Sequence, residues 1–136
     1  MRFPTLVLLM AVLACSSNSS PTLPTGSSVA GTWTLQSING LNLPYVTAQT
    51  GANKIEITSE VLTVVATGSF TEITTLRYTV SGQVSAQSVA DAGSYALNGT
   101  AVIFQFNSDG SIGTGSLSGK TLTVANAGNS FVFKKQ

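Results

Sequence analysis

Residues 95–106 read YALNGTAVIFQF, and this stretch decides the fold class. Val102, Phe104 and Phe106 stand at every second position, which is the period of a strand with one buried face. Asn98-Gly99 stands just before this run, and both residues tolerate the positive φ angles of a type I′ turn. The stretch therefore predicts a β-hairpin whose two strands are antiparallel neighbours.

The same pattern extends over the rest of the chain after residue 30. Trp33 and Leu35 alternate with polar residues, as do Ile55 and Ile57, and short glycine-containing turn signals separate such runs. Segments 97–102 and 117–122 share an apolar residue, a two-residue turn and a second apolar residue, so each is predicted to be a hairpin. We therefore predict an all-β fold, an up-and-down antiparallel meander of about eight to nine strands that closes into a small barrel. A two-sheet sandwich is the competing architecture.

Composition limits the partners and the covalent chemistry of the chain. Beyond residue 14, five basic and five acidic side chains balance, which leaves no electrostatic footprint for nucleic acid. Residues 30–136 are enough for one domain with one core. The single cysteine excludes an intramolecular disulfide, so packing and backbone pairing must hold the fold.

That cysteine, Cys15, follows a segment with the features of a signal peptide. Arg2 supplies a positive charge, residues 6–13 form a short apolar core, and Ala14 is small. Residues 12–15, VLAC, resemble the lipobox of bacterial lipoproteins, in which the cysteine is acylated and becomes the first residue. The resemblance implies a signal peptide at residues 1–14, and at residues 15–29 a lipidated Cys15 with a serine-rich tether. Ser16 after the cysteine implies sorting to the outer membrane, with the domain facing the periplasm.

Several stretches of the domain also resemble the lipocalin-like (calycin) proteins, in particular small bacterial lipoproteins of that kind. The matching segments are residues 31–35, 38–44, 93–104 and 119–135. In calycins a Gly-x-Trp motif opens the first strand, and a basic residue of the last strand packs across the indole near the closed end of the barrel. The resemblance assigns the first role to Trp33 and, by strand parity, the second to Lys135.

Two regions are candidates for contact with a ligand. Residues 40–53 lack clear alternation and are predicted to be a long loop, whose Leu43, Pro44 and Tyr45 either line the mouth of the barrel or fill it. In the run from 70 to 80, even parity directs Glu72 and Tyr78 inward. The candidate ligand-binding residues are Leu43 and Tyr45 of the first region, Glu72 and Tyr78 of the second, and Tyr95 and Phe104, which would line the same pocket as the second region. An inward carboxylate among apolar side chains would give a pocket with one polar anchor.

Little in the sequence points to catalysis. The chain has no histidine, and acylation would block Cys15. Glu56 and Glu60 would share one face if a single strand continued through both, but a catalytic carboxylate pair is not expected. Asp109-Gly110-Ser111 matches ordinary turn chemistry better than a calcium site. We therefore expect no enzymatic activity, no cofactor and no metal.

We therefore expect the barrel to bind a small hydrophobic or amphipathic ligand in the periplasm. A lipid anchor is expected to hold the barrel at the outer membrane. The alternative is a protein-interaction or protease-inhibitor module with a filled interior that acts through its loops. The sequence does not predict an oligomeric state.

Overall fold

The computed structural model describes residues 29–136, which form ten β-strands and no helix. The strands are β1 (Gly31–Ile38), β2 (Leu41–Asn42), β3 (Tyr45–Thr50), β4 (Asn53–Val65), β5 (Ser69–Val80), β6 (Gln83–Asn98), β7 (Ala101–Phe106), β8 (Ile112–Ser118), β9 (Thr121–Asn126) and β10 (Asn129–Lys135). The predicted signal peptide, Cys15 and all of the tether before Val29 lie outside the described residues.

Eight of the strands form a closed antiparallel barrel. Consecutive strands pair from β4 to β10, β10 pairs with β1, and β1 returns to β4 through pairs such as Gly31 with Val64 and Trp33 with Leu62. The all-β, meandering barrel predicted from the alternation is confirmed. Closure pairs every barrel strand on both sides over at least part of its length, which leaves few free sheet edges.

The segment between β1 and β4 differs from the prediction. Residues 40–53 are not a long loop, because β2 pairs with the end of β1, and β3 pairs with β4 from Tyr45–Ile57 to Thr50–Asn53. On the same side of β4, residues 53–57 therefore pair with β3, whereas residues 61–64 pair with β1. With β5 and β6, these strands extend the sheet beyond one end of the barrel.

Glycines with positive φ angles occupy several of the turns, and the turn after Asn98 differs in type from the prediction. Asn98 pairs with Ala101, so Gly99 and Thr100 are the central residues of that turn, and only Gly99 has a positive φ angle, 62°. This is the pattern of a type II′ turn rather than the predicted type I′. The repeated segment 117–122 forms the same hairpin, with Ser118 paired to Thr121.

The core fills the end of the barrel at which β1 begins. Trp33 is fully buried, and its indole Nε1 donates to the backbone oxygen of Val29 at 2.7 Å. Val29 is itself buried, so the folded domain includes one residue that the sequence assigned to the tether. Phe70 packs against Gly93, where a Cβ atom would lie 2.7 Å from the phenylalanine ring. Glycine at this position lets the aromatic ring lie flat against the neighbouring strand.

A β-bulge in β4 changes which residues face inward. The register with β5 shifts between Ile57 and Ser59, so that Thr58 has no partner on β5. An extra residue in one strand reverses the side to which all following residues point. Glu60 and Leu62 therefore face the barrel interior together with Ile57, whereas Glu56 lies on the outer face.

Candidate ligand-binding pocket

A pocket of about 180 Å³ lies inside the barrel, at the end opposite to the buried Trp33. It opens near the loop between β7 and β8 and the turn between β9 and β10. Its walls are formed by side chains of six barrel strands and of that loop. They are Glu60, Leu62, Glu72, Asp91, Phe104, Phe106, Asp109, Ser111, Val124, Asn126, Phe131 and Phe133.

One wall of the pocket carries three carboxyl groups from three adjacent strands. Glu72 on β5 pairs with Asp91 on β6 and with Leu62 on β4, while Glu60 on β4 pairs with Thr74 on β5. Paired residues of antiparallel strands point to the same face, and so do residues two positions apart. The register therefore brings Glu60, Glu72 and Asp91 together although they are far apart in the sequence.

The two glutamates have little hydrogen bonding to compensate for their burial. Glu60 is only 4% exposed, and its Oε2 lies 3.4 Å from the hydroxyl of Thr74, which is also 3.4 Å from Oε1 of Glu72. Burial and the neighbouring Glu72 raise the pKa of Glu60 to about 8. Burial and the neighbouring Asp91 raise the pKa of Glu72 to about 7. At neutral pH this wall therefore retains protons that exposed glutamates would have lost.

The aspartates at the rim of the pocket have more hydrogen-bond donors. Oδ1 of Asp91 accepts from the backbone N–H of Ala92 at 2.7 Å, and Oδ2 accepts from the hydroxyl of Ser108. Asp109 accepts from the backbone N–H of Ser111 at 2.8 Å, which lowers the pKa of Asp109. Asp109-Gly110-Ser111 thus forms a turn between β7 and β8, closed by an aspartate side chain as such turns commonly are.

The rest of the pocket is largely aromatic. Phe104 and Phe106 come from β7, and Phe131 and Phe133 from β10. The ring of Phe70 on β5 contacts Phe104 and Phe106 edge to face, and its centroid lies 5.2 Å from that of Phe104 and 5.1 Å from that of Phe106. This packing holds the two β7 rings in place, so that the pocket has an ordered apolar part beside its acidic part.

Glu56 lies in a different environment, although it is four residues from Glu60 on the same strand. Its carboxylate accepts from Arg77 Nε at 2.8 Å and from Lys54 Nζ at 2.9 Å. The hydrogen bond from Arg77, followed by that from Lys54, lowers the pKa of Glu56 to about 2. The expectation that Glu56 and Glu60 share a face is wrong, because the bulge at Thr58 separates them.

The structure brings together only some of the candidate ligand-binding residues. Glu72 and Phe104 line the pocket. Tyr95 contacts Phe104, but its hydroxyl donates to the backbone oxygen of Val65 at 3.0 Å in the core. Tyr78 lies in a separate, more open depression on the sheet extension.

Leu43 and Tyr45 are half-buried and pack against the core rather than lining the pocket. The hydroxyl of Tyr45 accepts from Asn39 Nδ2 at 3.0 Å. Residues that sequence reasoning missed include Glu60, Asp91 and three of the phenylalanines. Parity along single strands could have suggested Phe106, but the positions of Glu60 and Asp91 depend on a bulge and on the register between strands.

At the opposite end of the barrel, the side chain of Lys135 lies over Trp33. The two residues are paired in the sheet, and Lys135 Nζ is 5.3 Å from the centroid of the indole ring. A Cβ atom on Gly31 would lie 2.8 Å from Cε of Lys135, so the glycine leaves space for the lysine chain. The arrangement is a cation–π contact that covers the bottom of the barrel.

Comparison with models of known protein families gives no match, and no curated protein matches the chain. Among residues 29–136, no group of three or more histidine, cysteine, aspartate or glutamate side chains is arranged to hold a metal ion. In the same range there is no helix with the length and hydropathy needed to cross a membrane.

Proposed function

We propose that this chain is a lipocalin-like lipoprotein whose barrel binds a small amphipathic molecule, and that it is a binding protein rather than an enzyme. The observation that supports binding is the pocket of about 180 Å³ that is lined by both phenylalanines and carboxyl groups. Small-molecule sites typically combine apolar walls with a few converging polar groups and perturbed pKa values.

The size of the pocket narrows the class of ligand. An engineered cavity of about 150 Å³ in another protein holds one benzene molecule. A pocket of about 180 Å³ therefore has space for one ring with a short substituent, and a long acyl chain would have to extend out of its mouth. We infer a compact ligand whose ring contacts the phenylalanines and whose polar group meets the carboxyl wall.

The test is native mass spectrometry of the purified protein after incubation with an envelope extract. Val124→Phe should abolish a retained small molecule, because Val124 is buried and lines the pocket. Ser111→Leu at the rim should weaken retention with less risk to folding. Ile103→Phe on the exposed outer face of β7 is the matched control and should leave retention unchanged. An extract that leaves the folded protein empty would refute the proposal.

The proposed location rests on the sequence alone. Cys15 after the apolar leader would carry the lipid, and Ser16 favours the outer membrane. A single acyl chain binds a membrane only marginally, so stable attachment requires the several chains of a mature lipoprotein. Labelled palmitate should be incorporated into the protein, and Cys15→Ser should abolish both labelling and recovery in the outer-membrane fraction. Equal membrane recovery of the variant would contradict this part of the proposal.

A second candidate function is protein interaction, and the edge of β6 favours it. β6 pairs with β5 from Gln83 to Ser94 but with β7 only from Gly93 to Asn98. Residues 83–90 therefore present an edge without a neighbouring strand, and they include neither proline nor a charged residue. Natural proteins usually protect such edges, and an extended segment of another protein can add to them as a further strand.

The partner of this second function would be an extended segment of another envelope protein. A photo-crosslinking residue in place of Ala86 should then capture a defined adduct in cells, and Gln87→Lys should suppress the adduct by placing a charge on the edge. The same crosslinker in place of Ile103, on a strand paired on both sides, is the control. Capture at both positions, or at neither, would speak against strand addition at β6.

A further inference from the structure

We infer that the pocket selects a small cationic ligand, an aromatic or similarly compact molecule with an ammonium group that lies among Glu60, Glu72 and Asp91. This inference rests on the proposed ligand-binding function and specifies the chemistry of the ligand. Three observations support it: Glu60 is poorly hydrogen-bonded, the basic side chains of the described residues lie away from the pocket, and phenylalanines line the pocket.

The first feature is a buried carboxyl group that the protein leaves poorly satisfied. Glu60 is 4% exposed and faces the pocket, and the only hydrogen bond it accepts within the described residues is the 3.4 Å contact from Thr74. The hydroxyl of Thr74 has one proton and is equally distant from Glu72, so it can donate to only one of the two glutamates at a time. A buried carboxylate in this position would be stabilised by a donor or a cation that the described residues do not supply.

The second feature is that the basic side chains of the described residues lie elsewhere. Lys54 and Arg77 bind Glu56 on the outer face, and Lys135 lies over Trp33 at the other end of the barrel. Lys120 is in the turn between β8 and β9, and Lys134 is exposed on β10. The charged groups that face Glu60 and Glu72 are thus the carboxyl groups of Asp91 on β6 and of Asp109 in the β7–β8 loop.

The third feature is the set of aromatic side chains that line the pocket together with the carboxyl groups. Phe104, Phe106, Phe131 and Phe133 line the same pocket. The face of a phenylalanine ring attracts a cation, and its apolar surface also suits the ring or short chain of the ligand. A carboxylate wall and a phenylalanine wall around one small space favour an amphipathic ammonium ion over an anion of the same size.

Binding of such a ligand should be coupled to proton release. Burial and neighbouring carboxyl groups, Glu72 for Glu60 and Asp91 for Glu72, raise the pKa values of Glu60 and Glu72 to about 8 and about 7, so both are partly or fully protonated near neutral pH. An ammonium ion favours the ionised carboxylates and displaces those protons. The affinity should therefore increase from pH 5.5 to pH 7.5, a range in which the amine itself stays charged.

Three probes of nearly the same size test the inference by isothermal titration calorimetry on the purified protein: benzylamine, benzyl alcohol and benzoate. At pH 7.5 benzylamine should bind at least ten times more tightly than benzyl alcohol, and benzoate should bind most weakly. Measurements in buffers of different ionisation enthalpy should show that benzylamine binding releases protons. Benzylamine affinity should fall at least tenfold when the pH is lowered to 5.5.

Substitutions of single carboxyl groups test which residues cause the preference for benzylamine. Glu60→Gln and Asp91→Asn should each reduce benzylamine affinity at least fivefold with little effect on benzyl alcohol, and the more exposed Asp91 is the safer change for folding. Glu56→Gln, a similarly buried glutamate on the outer face of the same strand, should leave affinity unchanged. If benzyl alcohol binds as tightly as benzylamine, the inferred preference for a cation is wrong, but the proposed ligand-binding function still stands. Failure of all three probes to bind the folded protein would overturn the proposed ligand function as well.

Discussion

The buried carboxyl wall should make the protein less stable as the pH rises from 5 to 8. Glu60 has a pKa of about 8 in the folded protein, compared with the ordinary value of 4.5. Between these two values the folded state holds a proton that the unfolded state has lost, so unfolding becomes more favourable with each unit of pH. The stabilisation is complete below pH 4.5 and disappears as the pH passes 8.

The expected size follows from this pKa difference. For Glu60 alone, the linkage relation gives a loss of about 3 to 4 kcal/mol in the free energy of unfolding between pH 5 and pH 8. The shift of Glu72 has the same sign but is not added, since the two carboxyl groups interact. The loss is a large share of the roughly 5 to 15 kcal/mol typical of a domain, and it should lower the urea midpoint by about 1 to 3 M.

Urea denaturation measures this directly, because Trp33 is the single tryptophan and is fully buried in the folded state. The chain has no histidine, so the usual source of titration in this pH range is missing. Glu60→Gln should flatten the pH dependence and be more stable than the parent at pH 8. Glu56→Gln should lose stability but keep the slope, because the pKa of Glu56, lowered to about 2, lies outside this range. A parent stability that is constant or rises from pH 5 to pH 8 would refute the assignment of Glu60 as a buried, protonated group.

Three further substitutions test the packing by the same denaturation assay. Phe104→Ala should lower the free energy of unfolding by about 3 to 5 kcal/mol, because Phe104 is only 1% exposed and its removal leaves a cavity among the packed rings. A loss below about 1 kcal/mol would contradict this packing. Lys135→Met should cost about 0.5 to 2 kcal/mol through the lost contact with the indole, whereas the same change at the exposed Lys134 should cost almost nothing. Gly93→Ala should cost at least about 1 to 3 kcal/mol, because its Cβ atom would lie 2.0 Å from the backbone oxygen of Gln105; a stable alanine variant would show that the β6–β7 register is different.

The barrel could be predicted because the signals for it are local. Segments 97–102 and 117–122 each form a hairpin, with Leu97 opposite Val102 and Leu117 opposite Leu122. Alternation over a few residues identifies the strands, and a glycine in the turn identifies their antiparallel connection. Which two residues occupy the centre of a turn is less certain from sequence, and Gly99 takes the first central position rather than the second.

The strands β2 and β3 could not be predicted in the same way. Residues 40–53 contain few alternating apolar side chains, and residues 46–50 of β3 are exposed. Strand β3 forms because β4 extends beyond its pairing with β1 and offers a free edge to Tyr45 and the residues after it, and β2 forms by pairing with the end of β1. Pairing with a distant segment, rather than local propensity, determines the structure there.

The pocket was only partly predictable for a related reason. Glu72 faces inward by simple parity with Phe70, since the pairing of β5 with β6 is regular from Ser69 to Val80. Asp91 joins it only because β5 and β6 turn at Ser81-Gly82, which places Asp91 opposite Glu72. The clustering of carboxyl groups is therefore a property of the register, and the spacing of acidic residues along the chain does not reveal it.

Glu56 and Glu60 show how much depends on one extra residue. Both are buried glutamates of β4, yet the pKa of Glu56 falls to about 2 and that of Glu60 rises to about 8. Without the bulge at Thr58, the even spacing would place both glutamates on one face. With the bulge, the two bases satisfy one glutamate on the outer surface, while the other faces the pocket with only a weak donor. The bulge thus leaves the pocket with the carboxyl group on which the proposed preference for a cation depends.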